Sequence, residues 1–116
     1  MANVIKRGEL YWVDWNPAKG SEQTGKRPAL IIQNDIGNNS SPTTIVAACS
    51  KAREKIYPFL VPVTSKESGL PKDCSINLAV IITIDKSRLL GKAAGWLTSQ
   101  KMLEVDKAIK ISLGLQ

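Results

Sequence analysis

Histidine is missing from all 116 residues, and its absence removes whole classes of chemistry. A histidine-dependent nuclease dyad is excluded, and a zinc site would lack its commonest partner ligand. Any phosphodiester chemistry is left to Arg, Lys, Glu, Asp, Ser or Thr. Cysteine is scarce as well. Cys49 and Cys74 are too few for a disulfide framework and have no metal-ligand spacing. Both lie in apolar strand-like runs, where a free thiol packs as a small hydrophobe rather than serving as a nucleophile. No apolar run is long enough to span a membrane, no cleavable apolar leader follows Met1, and repeats, low-complexity tracts and dividing linkers are lacking. A cytoplasmic chain forming one domain over residues 1–116 is expected.

What is present is ordinary in hydrophobicity (43%) and charge content (22%), but the charge is unbalanced. Sixteen Lys and Arg against ten Asp and Glu leave a net charge of +6. A small domain with that excess favours a polyanionic partner, nucleic acid or an acidic protein.

Strand signals dominate the first two thirds. Glu9 to Trp15 alternates, with Leu10 and Trp12 on one face and Tyr11, Val13 and Trp15 on the other. Asn16-Pro17 ends that run. Pro28 opens Ala29-Leu30-Ile31-Ile32, a continuous apolar stretch expected of a central strand buried on both faces. A turn-rich segment, Asn34 to Pro42, precedes a strand over Thr43–Cys49. Pro58–Val63 is a further strand whose Pro62 predicts an edge or a bulge. Asp73–Ile84 reads as one long strand or two short ones. Helix comes late: Thr98 or Ser99 caps a segment with Met102, Val105, Ile109 and Leu113 at helical spacing, and Gly114 stands at its stop. Asp85–Gly91 reads as a short helix capped by Asp85. Five to seven short strands and a terminal helix predict a mainly β chain with some α, a small and strongly curved sheet or barrel. The pattern alone does not separate an SH3-like from an OB-like barrel.

The most informative stretch is Gly20-Ser21-Glu22-Gln23-Thr24-Gly25-Lys26-Arg27-Pro28, a polar loop that delivers an arginine to the mouth of a buried strand. A guanidinium offers a rigid fork of donors matched to phosphate oxygens. Read from the residues alone, Arg27 is either a phosphate clamp or a loop arginine that is solvated or paired with Glu22. Ser50, at the end of the next strand, either donates to a phosphate or satisfies its own turn. Lys51, Arg53 and Lys55 alternate, and either form a track for a phosphate backbone or a solvated loop. Ser21, Glu22, Gln23 and Thr24 offer the mixed donors and acceptors that base edges require, and Lys26 adds charge beside them. Glu22 is the nearest candidate general base, and burial would need to raise its pKa. Tyr11, Trp12 and Trp15 either stack bases or pack the core, with core expected for at least two.

The segment from Gly8-Glu9-Leu10-Tyr11-Trp12 to Arg27-Pro28 resembles the start of the MazF/PemK family of toxin endoribonucleases, closest to its Gram-positive branch. The resemblance continues through Ile31 to Asn38, Ser41-Pro42-Thr43, Ile45-Val46-Ala47-Ala48 and Thr83-Ile84-Asp85-Lys86, covering nearly the whole chain. It implies an SH3-like barrel with packed helices, and a homodimer whose grooves bind single-stranded RNA and an antitoxin with an acidic, disordered tail. It also implies a cofactor-free, metal-independent reaction in which the 2′-hydroxyl attacks the adjacent phosphate. Arg27 matches the family's catalytic arginine, and Ser50 stands where the Gram-positive relatives carry its threonine partner. Ala79-Val80-Ile81-Ile82 departs from the family, which places polar, RNA-touching residues before Thr83. The Kid-like branch draws catalytic groups from that region and from a histidine, so its mechanism does not transfer. Two other readings follow: a catalytically silent RNA- or antitoxin-binding homologue, and a gyrase poison like CcdB, against which the chain's end, Ser112 to Gln116, lacks a Trp-Gly-Ile-like signature.

Overall fold

A computed structural model describes residues 4–16, 25–52 and 57–116. Among these residues, six antiparallel strands form one sheet in the order β4-β5-β3-β2-β1-β6. They are β1 (Glu9–Asp14), β2 (Lys26–Ile31), β3 (Thr43–Lys51), β4 (Leu60–Val63), β5 (Cys74–Asp85) and β6 (Leu89–Trp96). Among the described residues α1 (Asp35–Ser40) and α2 (Ser65–Ser68) connect strands, and α3 (Ser99–Leu113) follows the last of them.

The sheet has a core on each face, and strand alternation sorts residues between them. Leu10 and Leu30 enter one core with Ala47, Cys49, Ile76, Leu78 and the helical Met102, Val105 and Ala108. Tyr11, Val13, Trp15, Ala29 and Ile31 enter the other with Val46 and Ile84. The alternation expected for Glu9–Trp15 and the two-sided burial expected for β2 are both observed. Pro62 lies on β4, an edge strand, where its missing N–H costs no ladder bond.

Irregularities supply curvature. The β3–β5 register jumps from Ala47 opposite Ile81 to Ala48 opposite Asn77, so Leu78, Ala79 and Val80 are extra on β5. One continuous strand therefore pairs in two segments. A second irregularity breaks the β1–β6 register between Leu10 and Trp12. Bulges of this kind bend a strand and increase its twist.

Three expectations need correction. The turn-rich Asn34–Pro42 contains α1, because the Asn34 side chain accepts from the Gly37 N–H at 2.8 Å and caps a helical turn. Asp85–Gly91 holds only a 3₁₀ turn, Lys86–Arg88, capped by Asp85; Leu89 to Gly91 belong to β6, which pairs Leu89 and Leu90 with Val13 and Trp12 of β1. The α3 stripe runs Met102, Val105 and Ala108 with Ile109 packed beside them as expected, whereas Leu113, in the last turn, is 57% exposed.

A buried polar network ties α1 to β3. Asn38 is 3% exposed; its Oδ1 accepts from the Thr44 hydroxyl at 2.8 Å and from Gln33 Nε2 at 3.0 Å. Its Nδ2 donates to the Gln33 carbonyl, and its own carbonyl accepts from Lys86 Nζ. Every member is satisfied, which makes such a network specify one arrangement.

Candidate functional site

The β2–β3 ladder ends at Ala29 opposite Ala48. Pro28, the next residue on β2, has no N–H with which to extend it. Both strands nonetheless continue, β2 back to Lys26 and β3 on to Lys51. Continued past the last bonded pair, the same register sets Pro28 across from Cys49, Arg27 across from Ser50 and Lys26 across from Lys51. All six line one cavity of about 500 Å³, with Trp12, Gly25 and Leu70–Cys74 completing its walls. The site is thus the unzipped end of a strand pair.

Arg27 and Ser50 fall on the same face of the sheet, since alternation groups Arg27 with Ala29 and Ser50 with Ala48. Arg27 is exposed and stands opposite Val13 on β1. Its backbone is held by the Trp15 indole, whose Nε1 donates to the Arg27 carbonyl at 3.3 Å. The Ser50 hydroxyl donates to the Ser75 carbonyl at 3.4 Å, a bond long enough to exchange cheaply for a ligand oxygen.

The loop before Arg27 enters and leaves through a fixed neck. The Trp15 N–H donates to the Gly25 carbonyl at 2.9 Å, and the Gly25 N–H to Asn16 Oδ1 at 3.2 Å. The Arg88 guanidinium donates to the carbonyls of Asp14 and Asn16. Ser21, Glu22, Gln23 and Thr24 themselves, and Arg53 and Lys55 beyond β3, lie outside the described residues. Of the sequence candidates, Arg27, Ser50, Lys26 and Lys51 are therefore brought together.

Of the three aromatics, Tyr11 and Trp15 are buried and Trp12 lines the cavity. Cys49 and Cys74 are free, buried thiols in the wall. The hydrogen bond Cys49 donates to Cys74, together with burial, pushes the Cys49 thiol well up, and the same bond draws Cys74 down. Cys49 thus stays a neutral thiol and behaves as core. Sequence reasoning missed the Leu70–Asp73 wall, which lies far along the chain and shows no motif. Ala79, Val80, Ile81 and Ile82 sit at the β5 irregularity and are not among the lining residues.

A family model described as the PemK-like, MazF-like toxin of type II toxin–antitoxin systems matches residues 6–113. This chain belongs to that family. It is 49% identical over 113 residues to the endoribonuclease MazF of Staphylococcus epidermidis, covering 97% of this chain and 93% of that relative. It is 47% identical to the endoribonuclease EndoA of Bacillus subtilis (strain 168), covering 97% of each. Among solved structures, a mycobacterial endoribonuclease in complex with its cognate antitoxin superposes with a TM-score of 0.79 at 25% identity over 97% of both chains. MazF of Deinococcus radiodurans shares the fold, with a TM-score of 0.80 at 22% identity over 98% of this chain and all of that one. For a member of the PemK/MazF family, the curved sheet and terminal helix are the expected frame. Among the described residues no helix is long and apolar enough to cross a membrane.

Proposed function

We propose that this chain is a MazF-type endoribonuclease toxin that cleaves single-stranded RNA at preferred sequences and is neutralised by a cognate antitoxin. The observation that carries the reading is that Arg27 and Ser50, at the open end of β2 and β3, line one cavity together with Lys26 and Lys51. The 2′-oxygen of ribose attacks the adjacent phosphorus while the bond to the 5′-oxygen breaks. The products are a 2′,3′-cyclic phosphate and a 5′-hydroxyl end. The nucleophile belongs to the substrate, so the reaction needs no metal-bound water. Arg27 stabilises the charge that develops on the equatorial oxygens, and Ser50 donates to one of them. Glu22 or solvent accepts the 2′-proton, and a proton from water completes the leaving group. Ser21, Gln23, Thr24 and Arg53 contribute base and phosphate contacts. A lone chain leaves Trp96 (72% exposed) and Leu103 (68% exposed) in water, apolar surface suited to a homodimer and to an antitoxin segment folding on it. The antitoxin's acidic character answers the net charge of +6, and the setting is cytoplasmic.

The test is incubation of the protein in EDTA with a long RNA of mixed sequence, beside Arg27→Ala, with mapping of the 5′ ends. Discrete cuts ending in 5′-hydroxyls are expected, with roughly a 10³-fold or greater loss in the variant. Cleavage at an undiminished rate when the scissile sugar is 2′-deoxy would sink the mechanism. RNA binding without cleavage in either protein would favour the silent-homologue reading, which the apolar Ala79–Ile82 segment motivates.

A further inference from the structure

The cleft's third wall, Leu70–Asp73, carries a cation that lines the same cavity as Arg27 and Ser50. Resting on the ribonuclease reading, we propose that Lys72 is a phosphate-binding residue that grips a backbone phosphate flanking the scissile one and so sets how RNA lies in the cleft. Three observations support it.

The segment is held rigidly at both ends. Gly69 closes α2 with φ +78°, and a Cβ there would stand 2.2 Å from the Ala94 carbonyl oxygen on β6. The Ser68 hydroxyl accepts from the Leu70 N–H at 3.1 Å, and Asp73 Oδ1 accepts from the Ser65 N–H at 2.7 Å. Leu70 and Cys74 are buried in the core. The backbone under Lys72 is thus ordered before any ligand arrives, so binding orders only one side chain.

Its charge is available. Among the described residues Lys72 is exposed and forms no ion pair. The adjacent carboxylate, Asp73, is engaged by the start of α2. Lastly, the chemistry suits phosphate. An ammonium is a compact, donor-only charge, which binds phosphate as a point rather than reading a base edge. Lys26 and Lys51 line the same cavity, and Lys51 pairs with Cys74 beside the Lys72 segment, so Lys72 extends a cationic lining along which a bound strand has phosphates contacted next to the reacting one.

The probe is a single-stranded RNA oligonucleotide of the mapped cleavage sequence, made uncleavable by a 2′-deoxy sugar at the scissile position. Its affinity is measured against salt for the wild type, Lys72→Gln, Lys72→Arg and, as a control outside the cleft on α3, Lys107→Gln. Lys72→Gln should bind roughly three- to tenfold more weakly, the loss of one charged contact. Its log–log salt dependence should be shallower by about 0.7, one phosphate of a single strand. Lys72→Arg should retain both, Lys107→Gln should match wild type, and in turnover Lys72→Gln should raise KM more than it lowers kcat. An unchanged salt slope in Lys72→Gln, with wild type binding normally, overturns the assignment. A slope lost equally in Lys107→Gln also overturns it, since the effect would then be of net charge alone. Failure of the wild type to bind or cut RNA instead overturns the ribonuclease reading on which the assignment rests.

Discussion

Arg27 and Ser50 line one cavity because two strands run on beyond their last bonded pair. Neither residue announces this alone; an arginine before a proline and a serine at a strand end are both commonplace. The resemblance to MazF/PemK toxins singled them out, and the continued register then set them opposite one another on one face. Their proposed roles have a direct consequence at this scale. Ser50→Ala should lower kcat by roughly 10²-fold, as when one transition-state donor is removed, while leaving the fold intact. Ser50→Thr should keep activity, since it retains the hydroxyl and adds a methyl that narrows the rotamer choice. Single-turnover cleavage of a short RNA reads both, and equal rates for wild type and Ser50→Ala would remove Ser50 from the mechanism. Trp12 was legible only as one of three aromatics. Burial of Tyr11 and Trp15 leaves it as the one in the cavity wall.

The strands were legible wherever local chemistry and burial agree. Alternation in β1, the apolar run of β2 and the edge proline of β4 are each local signals with a tertiary reason behind them. The elements that escaped are those decided by partners distant in sequence. Leu89–Trp96 is a strand because β1 offers it an edge, and nothing in Leu-Leu-Gly-Lys-Ala-Ala-Gly-Trp alternates strongly enough to say so. Gly95 shows the same dependence. A Cβ there would lie 2.2 Å from the Ser68 carbonyl oxygen, so α2 and β6 touch backbone to backbone. Gly95→Ala should therefore destabilise the protein by roughly 1–3 kcal/mol, the cost of forced overpacking, read as a shifted denaturation midpoint. It should also weaken RNA binding by loosening the wall that carries Lys72. A midpoint equal to wild type would show that α2 and β6 yield to a methyl group at this contact.

For the whole molecule, stability should depend on acid in a defined direction. Asp35 is held below its ordinary value chiefly by the Arg7 N–H, Glu67 by the Thr64 N–H and Asp85 by the Ser87 N–H. A carboxyl that binds protons less readily when folded favours the folded state above its ordinary value and loses that contribution as pH falls through the depressed one. Urea midpoints should therefore be nearly flat from about pH 7 to 5 and decline below the ordinary values of 4.5 for Glu67 and 3.8 for the two aspartates. All three groups are solvent-exposed, so screening keeps each share small. Midpoints that rise on acidification over that window would contradict the carboxylate assignments. The sequence by itself determined the charge, the exclusion of histidine chemistry, the strand faces and the family, because composition, periodicity and motif are local properties. It carried the Gln33–Asn38 motif without its meaning, which the fold supplies as a buried network between α1 and β3. Only the tertiary structure decided which strands neighbour one another, that the β2–β3 ladder stops at Pro28, and that Leu70–Asp73 closes the cleft. Those outcomes depend on pairing and packing between residues far apart in the chain, and such contacts leave no local signature.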